Sequence, residues 1–258
     1  MQSWAKPSTA VDRDSPCQST LTAAVAFDAV ARPRYPKQGE PLPQPLPPET
    51  RTVGQLVAES IRFYGSRFWA VLPLGFPVLV VSQLTVGLAT ALQALVLAAC
   101  GPLMAAAFVR ASVLVGDRAI SRGAALRAIA VGSLVWLPAP FLTLVFVLPA
   151  VAWLALVGLV VPVLAVEQPT VRAAFRRAIE LARADYVHAL GSLATLVLVF
   201  GLVRLMLVLL LRDLGDSGER VALGLADLVL SPLLFLGGAI LYVDQAARVR
   251  SSPRPKER

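Results

Sequence analysis

Long, mostly uncharged apolar segments, separated by short arginine-rich connections, constrain this chain more than any other feature. Six such segments follow a polar start, at 68–90, 94–115, 127–148, 150–166, 187–211 and 221–243. A helix needs about 20 apolar residues to cross the roughly 30 Å hydrocarbon core of a bilayer. The hydrophobic share of 57% exceeds the roughly 45–50% of a soluble domain. We therefore predict an all-α, polytopic transmembrane helical bundle of about six spans.

The third and fourth segments adjoin each other, and they cannot form one helix. Residues 134–166 would make a helix roughly 50 Å long, which is far more than the membrane core accommodates. A turn at Pro149 resolves this conflict. Prolines also lie inside five of the six segments, where we favour structural kinks over the broken helices of a transporter.

The chain divides into three parts. Residues 1–50 are predicted to be a disordered, proline-rich cytoplasmic tail, 51–247 a six-span membrane domain, and 248–258 a basic cytoplasmic tail. Thr52 and Thr170 are expected to cap two amphipathic helices that lie in the cytoplasmic membrane interface. Apolar residues recur at helical spacing in the first, and we expect Val53, Val57 and Ile61 on its membrane face.

Lys and Arg residues lie almost entirely on one side of this arrangement. Of the 24, 21 fall before the first segment, after the sixth, or in the connections after the second and fourth segments taken with the adjoining helix ends. The opposite side has Arg212 and Arg220, and Arg204 lies within a segment. Because basic loops stay in the cytoplasm, we predict that both termini face it. This distribution is that of a membrane protein, so phospholipid rather than nucleic acid is the expected partner of the +8 net charge.

Two charges lie inside spans, Arg204 in the fifth and Asp227 in the sixth. At about 1.5 Å per residue, both are roughly 10 Å from the same membrane face, on consecutive antiparallel helices. We predict an ion pair between them. Its main interpretation is a contact that ties the two spans together, and its alternative is a substrate or proton site.

The segment 170–185 has a strongly basic face. Four arginines there are candidates for contact with anionic lipid headgroups: Arg172, Arg176, Arg177 and Arg183. An interfacial anchor is the main interpretation, and recognition of a specific headgroup is the alternative.

The sequence has no recognisable catalytic motif. It contains no phosphate-binding glycine loop and no nucleophile elbow, and two cysteines with a single histidine make no zinc site. We predict no cofactor, no metal and no enzymatic activity.

Three stretches resemble the membrane domain associated with bacterial glycerophosphoryl diester phosphodiesterases and its stand-alone relatives. The first lies before span one, the second around the connection after span four, and the third closes span six. The residues that carry the resemblance are Glu59, Arg62, Tyr64, Pro162, Glu167, Arg177, Tyr242 and Asp244. The likeness covers roughly 52–250, without a phosphodiesterase catalytic domain.

The resemblance implies a membrane module in a bacterial plasma membrane, and arginine outnumbers lysine 21 to 3, as expected of a GC-rich genome. We expect a non-catalytic scaffold or assembly partner in lipid or envelope metabolism, with an unidentified protein partner. A small transporter or lipid-handling protein that uses Arg204 and Asp227 is the alternative, and a membrane-embedded enzyme is the second.

Overall fold

The computed structural model describes residues 47–211 and 215–251, without the side chains of residues 216, 217 and 219. The predicted disordered tail falls mainly on residues 1–46, which lie outside the described part. Its end, Pro48–Thr50, is a short 3-10 helix. The last helix continues to Ser251, beyond the predicted start of the basic tail at residue 248.

The described residues form helices and no strand, which confirms the all-α class. A 3-10 helix, Leu72–Gly75, links α2 to α3. The α-helices are α1 Val53–Ser66, α2 Phe68–Val71, α3 Phe76–Thr85, α4 Thr90–Ala99, α5 Gly101–Gly116, α6 Arg122–Trp136, α7 Pro138–Val145, α8 Val147–Val157, α9 Val160–Val166, α10 Val171–Ala184, α11 Tyr186–Leu211, α12 Gly215–Leu230 and α13 Pro232–Ser251.

Within the described residues, five helical segments are long and apolar enough to cross a membrane, and a bent pair makes a sixth. The five are Phe68–Thr85, Arg122–Val145, Val147–Val166, Tyr186–Leu211 and Arg220–Ser251. The pair is α4 and α5, which meet at an angle of 52°. This is a multi-pass membrane protein, and the segments coincide with the six predicted spans.

Prolines mark where four of the spans divide into two helices. Pro73, Pro102, Pro138 and Pro232 each occupy one of the first two positions of a new helix. Proline lacks the N–H that would continue a helix and fits well in a first turn. The fifth span, α11, has no proline and runs unbroken for 26 residues. Breaks between helices therefore occur at several of the prolines predicted to cause kinks.

Helices α5 and α13 occupy the centre of the bundle. Helix α5 packs against α6, α9 and α13, and α13 also packs against α1, α10 and α11. Small side chains permit this close approach, because Ala107 and Ala111 of α5 are buried together with Ala239 of α13. Membrane helices associate largely through such small residues.

Two short amphipathic helices, α1 and α10, flank the spans as predicted. Thr52 caps α1 in a reciprocal pair with Gln55, in which each residue's side chain accepts from the other's backbone N–H. Ile61, on the predicted membrane face of α1, is 54% exposed. Leu56 and Ser60, which the prediction did not include, are buried, Leu56 against α11 and α13. The apolar stripe of α1 is wide enough that helical periodicity alone cannot show which edge of it packs on protein.

The turn between the third and fourth spans lies at Phe146, whose backbone is extended, and not at Pro149. Helix α8 begins at Val147, so Pro149 falls in its first turn. A proline there removes no hydrogen bond, since the first N–H groups of a helix have no partner within it.

Gly75 provides a test of how spans one and six meet. A methyl group at this position would overlap the backbone of Leu228 in α12, which cannot turn aside as a side chain can. We expect Gly75→Ala to lower the free energy of unfolding by about 1–3 kcal/mol through overpacking. The matched control is Gly201→Ala in α11, where the added methyl meets open space. Thermal unfolding in detergent, followed by tryptophan fluorescence, compares them, and equal stability of both variants would contradict this packing.

Candidate functional site

Among the described residues, a group of connected polar and charged side chains lies at one end of the bundle. We call this the basal end, defined as the end that carries Arg51, Asp117, Asp185 and Arg248. The last turns of α13 supply Asp244 and Gln245, both 0% exposed. A buried carboxylate is stable as an ion only when it is paired and hydrogen-bonded. The hydrogen-bond partners of these two residues therefore define the site at the basal end.

Arg51 provides the partner of Asp244. Its Nη1 donates to Asp244 Oδ1 over 2.7 Å, across 193 positions of sequence. The backbone carbonyl of Arg51 in turn accepts from Nη2 of Arg248 at 2.8 Å. These two arginines join the start of the membrane domain to its last helix.

Arg248 also reaches the junction between α10 and α11. Its Nη1 donates to Asp185 Oδ2 at 2.6 Å, and Gln245 Nε2 donates to the Asp185 carbonyl at 3.1 Å. The other oxygen of Asp185, Oδ1, accepts from the backbone N–H of His188 at 3.0 Å. A carboxylate at this position accepts a hydrogen bond from an otherwise free N–H of α11. It also interacts favourably with the positive end of the dipole of α11. Asp185 thus caps one helix and anchors another.

A second group lies one turn deeper along α13. Tyr242 donates its hydroxyl to Glu167 Oε1 at 2.9 Å. Arg177 lies between two carboxylates, with Nε 3.8 Å from Glu167 Oε1 and Nη1 3.0 Å from Glu180 Oε2. This group ties α13 to the connection between α9 and α10. We call the two groups together the basal network, comprising Arg51, Glu167, Arg177, Glu180, Asp185, Tyr242, Asp244, Gln245 and Arg248.

The basal network contains four of the eight residues that carry the family resemblance. Glu167, Arg177 and Tyr242 are in contact, and Asp244 is two residues further along α13. Of the other four, Glu59 and Arg62 pair on α1 at 3.4 Å. Tyr64 and Pro162 are separate from both groups.

Tyr64 has no polar contact among the described residues. Its hydroxyl is buried without a hydrogen-bond partner there, and burial raises the pKa of the phenol above its ordinary value. Its ring centroid lies 5.3 Å from that of Phe68. Pro162 is likewise buried within α9. Both residues contribute to packing at the points where spans one and four begin or bend.

Sequence reasoning missed Arg51, Asp185 and Arg248 as members of one cluster. Each looks like an ordinary basic or acidic residue at the end of an apolar segment. Their separations of 63 and 197 positions, from Arg248 to Asp185 and to Arg51, leave no local pattern to read. The one available signal was that all three residues are predicted to lie at the same face of the membrane.

The four candidate lipid-contacting arginines divide into two kinds. Arg172, Arg176 and Arg183 are exposed on α10. Arg177 instead turns towards Glu167 and Glu180. The outward face of α10 therefore presents three guanidinium groups at the basal end.

The two charges within the spans are close together. Arg204 Nη2 lies 3.4 Å from Asp227 Oδ2, between α11 and α12. The carboxylate is 1% exposed, whereas the arginine is 40% exposed. Contact between adjacent spans is the geometry expected when a membrane-buried carboxylate needs a counter-ion.

A cavity of about 280 Å³ lies at the centre of the bundle. Its wall includes residues of all six spans, among them Val78, Leu97, Met104 and Val197. A smaller cavity of about 50 Å³ adjoins it and shares Leu196, Phe200 and Leu234 with its wall. Neither cavity is lined by Arg204 or Asp227.

The helices enclose this cavity only in part, so a molecule from outside the bundle can enter it. A concave, mostly apolar space with few polar groups is the usual form of a small-molecule site. The central cavity is therefore the second candidate site of this protein, beside the basal network.

Within the described residues, no group of three or more His, Cys, Asp or Glu side chains is placed to hold a metal ion. No family model, no curated protein and no solved structure matches this chain. The chemistry of the two candidate sites is therefore inferred from the arrangement of their own side chains.

Removal of Arg51 tests the basal network. Arg51→Ala would leave the fully buried Asp244 without its closest counter-ion, and losing one partner of a buried pair costs about 3–5 kcal/mol. We expect a marked fall in the detergent unfolding temperature. Arg172→Ala, at an exposed position, is the matched control and should unfold like wild type. A wild-type unfolding temperature for Arg51→Ala would show that the pair contributes nothing to stability.

Proposed function

We propose that this protein is a non-catalytic membrane scaffold or assembly partner in lipid or envelope metabolism, in a bacterial plasma membrane. The observation that carries the proposal is that its buried carboxylates are paired with arginines from other parts of the chain. Asp244 and Asp227 are each paired with an arginine of another helix or of the segment before α1. Pairs of this kind hold neighbouring segments together, as a platform requires, because a buried charge without its partner is strongly destabilising.

The outward basal face supports the same proposal. Arg172, Arg176 and Arg183 on α10 are exposed at one end of the bundle. Each arginine beside an anionic headgroup contributes about 1 kcal/mol of membrane attraction. The same groups would offer a docking surface to an acidic partner protein at the membrane surface.

Transport through the Arg204–Asp227 pair is less well supported. A polar cavity that reached these two side chains would favour it, but both described cavities are lined without them. The close approach of the two groups instead favours a contact between α11 and α12.

The basal end is proposed to face the cytoplasm, with both termini on that side. It carries Arg51, Arg118, Arg177 and Arg248, and the distribution of basic residues along the chain supports this orientation.

A fusion to the C-terminus tests the orientation. Green fluorescent protein placed after Arg258 should fluoresce, because it folds in the cytoplasm, and alkaline phosphatase at the same position should be inactive. The same two fusions placed after Gly87, in the turn between spans one and two, are the control and should behave oppositely. The reverse pattern would refute the proposed orientation.

Isolation in native lipid tests the scaffold. We expect mass spectrometry to find one protein retained at a fixed ratio to this chain. Arg204→Ala should destabilise the bundle, because it leaves Asp227 buried and unpaired. The double variant Arg204→Leu with Asp227→Leu should restore both stability and the retained partner, since apolar replacement of a buried pair is often neutral.

The double variant distinguishes the alternatives. If it folds but loses the partner, or if the wild type retains no protein at all, the scaffold proposal fails. A site that needs its charges cannot survive their replacement by leucine, whereas a structural contact can.

A further inference from the structure

We propose that the central cavity binds one acyl chain of a phospholipid from the basal leaflet, with the lipid phosphate beside Arg62. This inference is independent of the scaffold function, because a scaffold needs a protein partner and the cavity needs a lipid.

The wall of the cavity determines the chemistry of its occupant. All 20 lining residues are apolar or aromatic, and they come from all six spans. The indole N–H of Trp136 is the one side-chain donor in this wall, and it has no hydrogen-bond partner among the described residues. The site therefore selects for hydrocarbon.

Water is a poor occupant of this site. A buried water needs two to four polar partners, and apolar cavities of roughly 150 Å³ stay dry and take up apolar molecules instead. About 280 Å³ is close to the lower end of ligand pockets, at roughly 300 Å³. Inside a bilayer, the abundant apolar molecule is the lipid chain.

The smaller cavity indicates the route of access. It shares Leu196, Phe200 and Leu234 with the central cavity and extends to Val57 and Ile61 of α1. Ile61 is more than half exposed at the basal end, although the helix buries Leu56 beside it. The two cavities thus lie on either side of the three shared residues, between the edge of α1 and the centre, and we take this line as the route of access.

We assign the lipid headgroup to Arg62, which adjoins the cavity-lining Ile61 in sequence. Arg62 follows Ile61, and its side chain is half exposed, with Glu59 at 3.4 Å as its described partner. A phosphodiester is an anion that an arginine binds through paired hydrogen bonds. Charge complementarity therefore favours a phospholipid over a neutral hydrocarbon.

Retention of lipid tests the proposal. The full chain is placed in nanodiscs of phosphatidylethanolamine and phosphatidylglycerol, extracted into detergent, washed, and measured by native mass spectrometry. We expect one phospholipid per protein. Val197→Trp fills the cavity from α11 and should abolish retention. The control Leu198→Trp changes the neighbouring residue, which is exposed and lines neither cavity, and should retain the lipid.

A second pair covers the case in which Val197→Trp does not fold. Leu97→Trp fills the cavity from α4, and Leu95→Trp changes an exposed residue of the same helix. Arg62→Gln should weaken retention about fivefold, as loss of one arginine–headgroup contact implies.

Photolabelling locates the chain without any substitution. A trace of phosphatidylethanolamine with a diazirine in its acyl chain is included in the nanodiscs. We expect adducts on Met104, which lines the cavity and is almost fully buried. Retention that survives both cavity-filling variants, adducts confined to exposed positions such as Leu198, or no retained lipid in wild type would each overturn the proposal. Unchanged retention in Arg62→Gln would overturn the placement of the phosphate.

Discussion

The contact between Arg51 and Asp244 joins the beginning of the membrane domain to its last helix. A fully buried carboxylate in α13 requires a cation, and the residue that supplies it comes from the segment before α1, 193 positions away. Arg248 then binds the carbonyl of Arg51 and the carboxylate of Asp185. Because each of these groups would be costly to bury alone, they order the first segment, the last helix and the α10–α11 junction together. Most of the other helices pack against α5 and α13.

The two ends of the bundle therefore differ in chemistry. The basal end combines an ionic network that joins several helices with three exposed arginines on α10. Between the ends, the interior is lined by apolar side chains and contains a cavity of about 280 Å³. Protein interiors have few voids larger than a water molecule. The proposed scaffold role rests on the first of these features, and the proposed lipid binding rests on the second.

Much of the fold could be predicted from the sequence. The six spans, the capped helix that begins after Thr52 and the closeness of Arg204 to Asp227 all follow from local quantities. The turn at Phe146 and the buried edge of α1 could not be predicted. Proline is compatible with both a turn and a first helical turn, and the apolar stripe of α1 is wider than the strip that packs on protein.

The sequence by itself determined the all-α class and the approximate bounds of the spans, because bilayer thickness acts on each apolar segment separately. Only the tertiary structure decided which helices meet, and with them the basal network and the cavity. In a membrane, side chains that face lipid and side chains that face protein are equally apolar, so hydrophobic periodicity does not reveal the packed face. Partners such as Tyr242 and Glu167, 75 positions apart, emerge only when the helices are assembled.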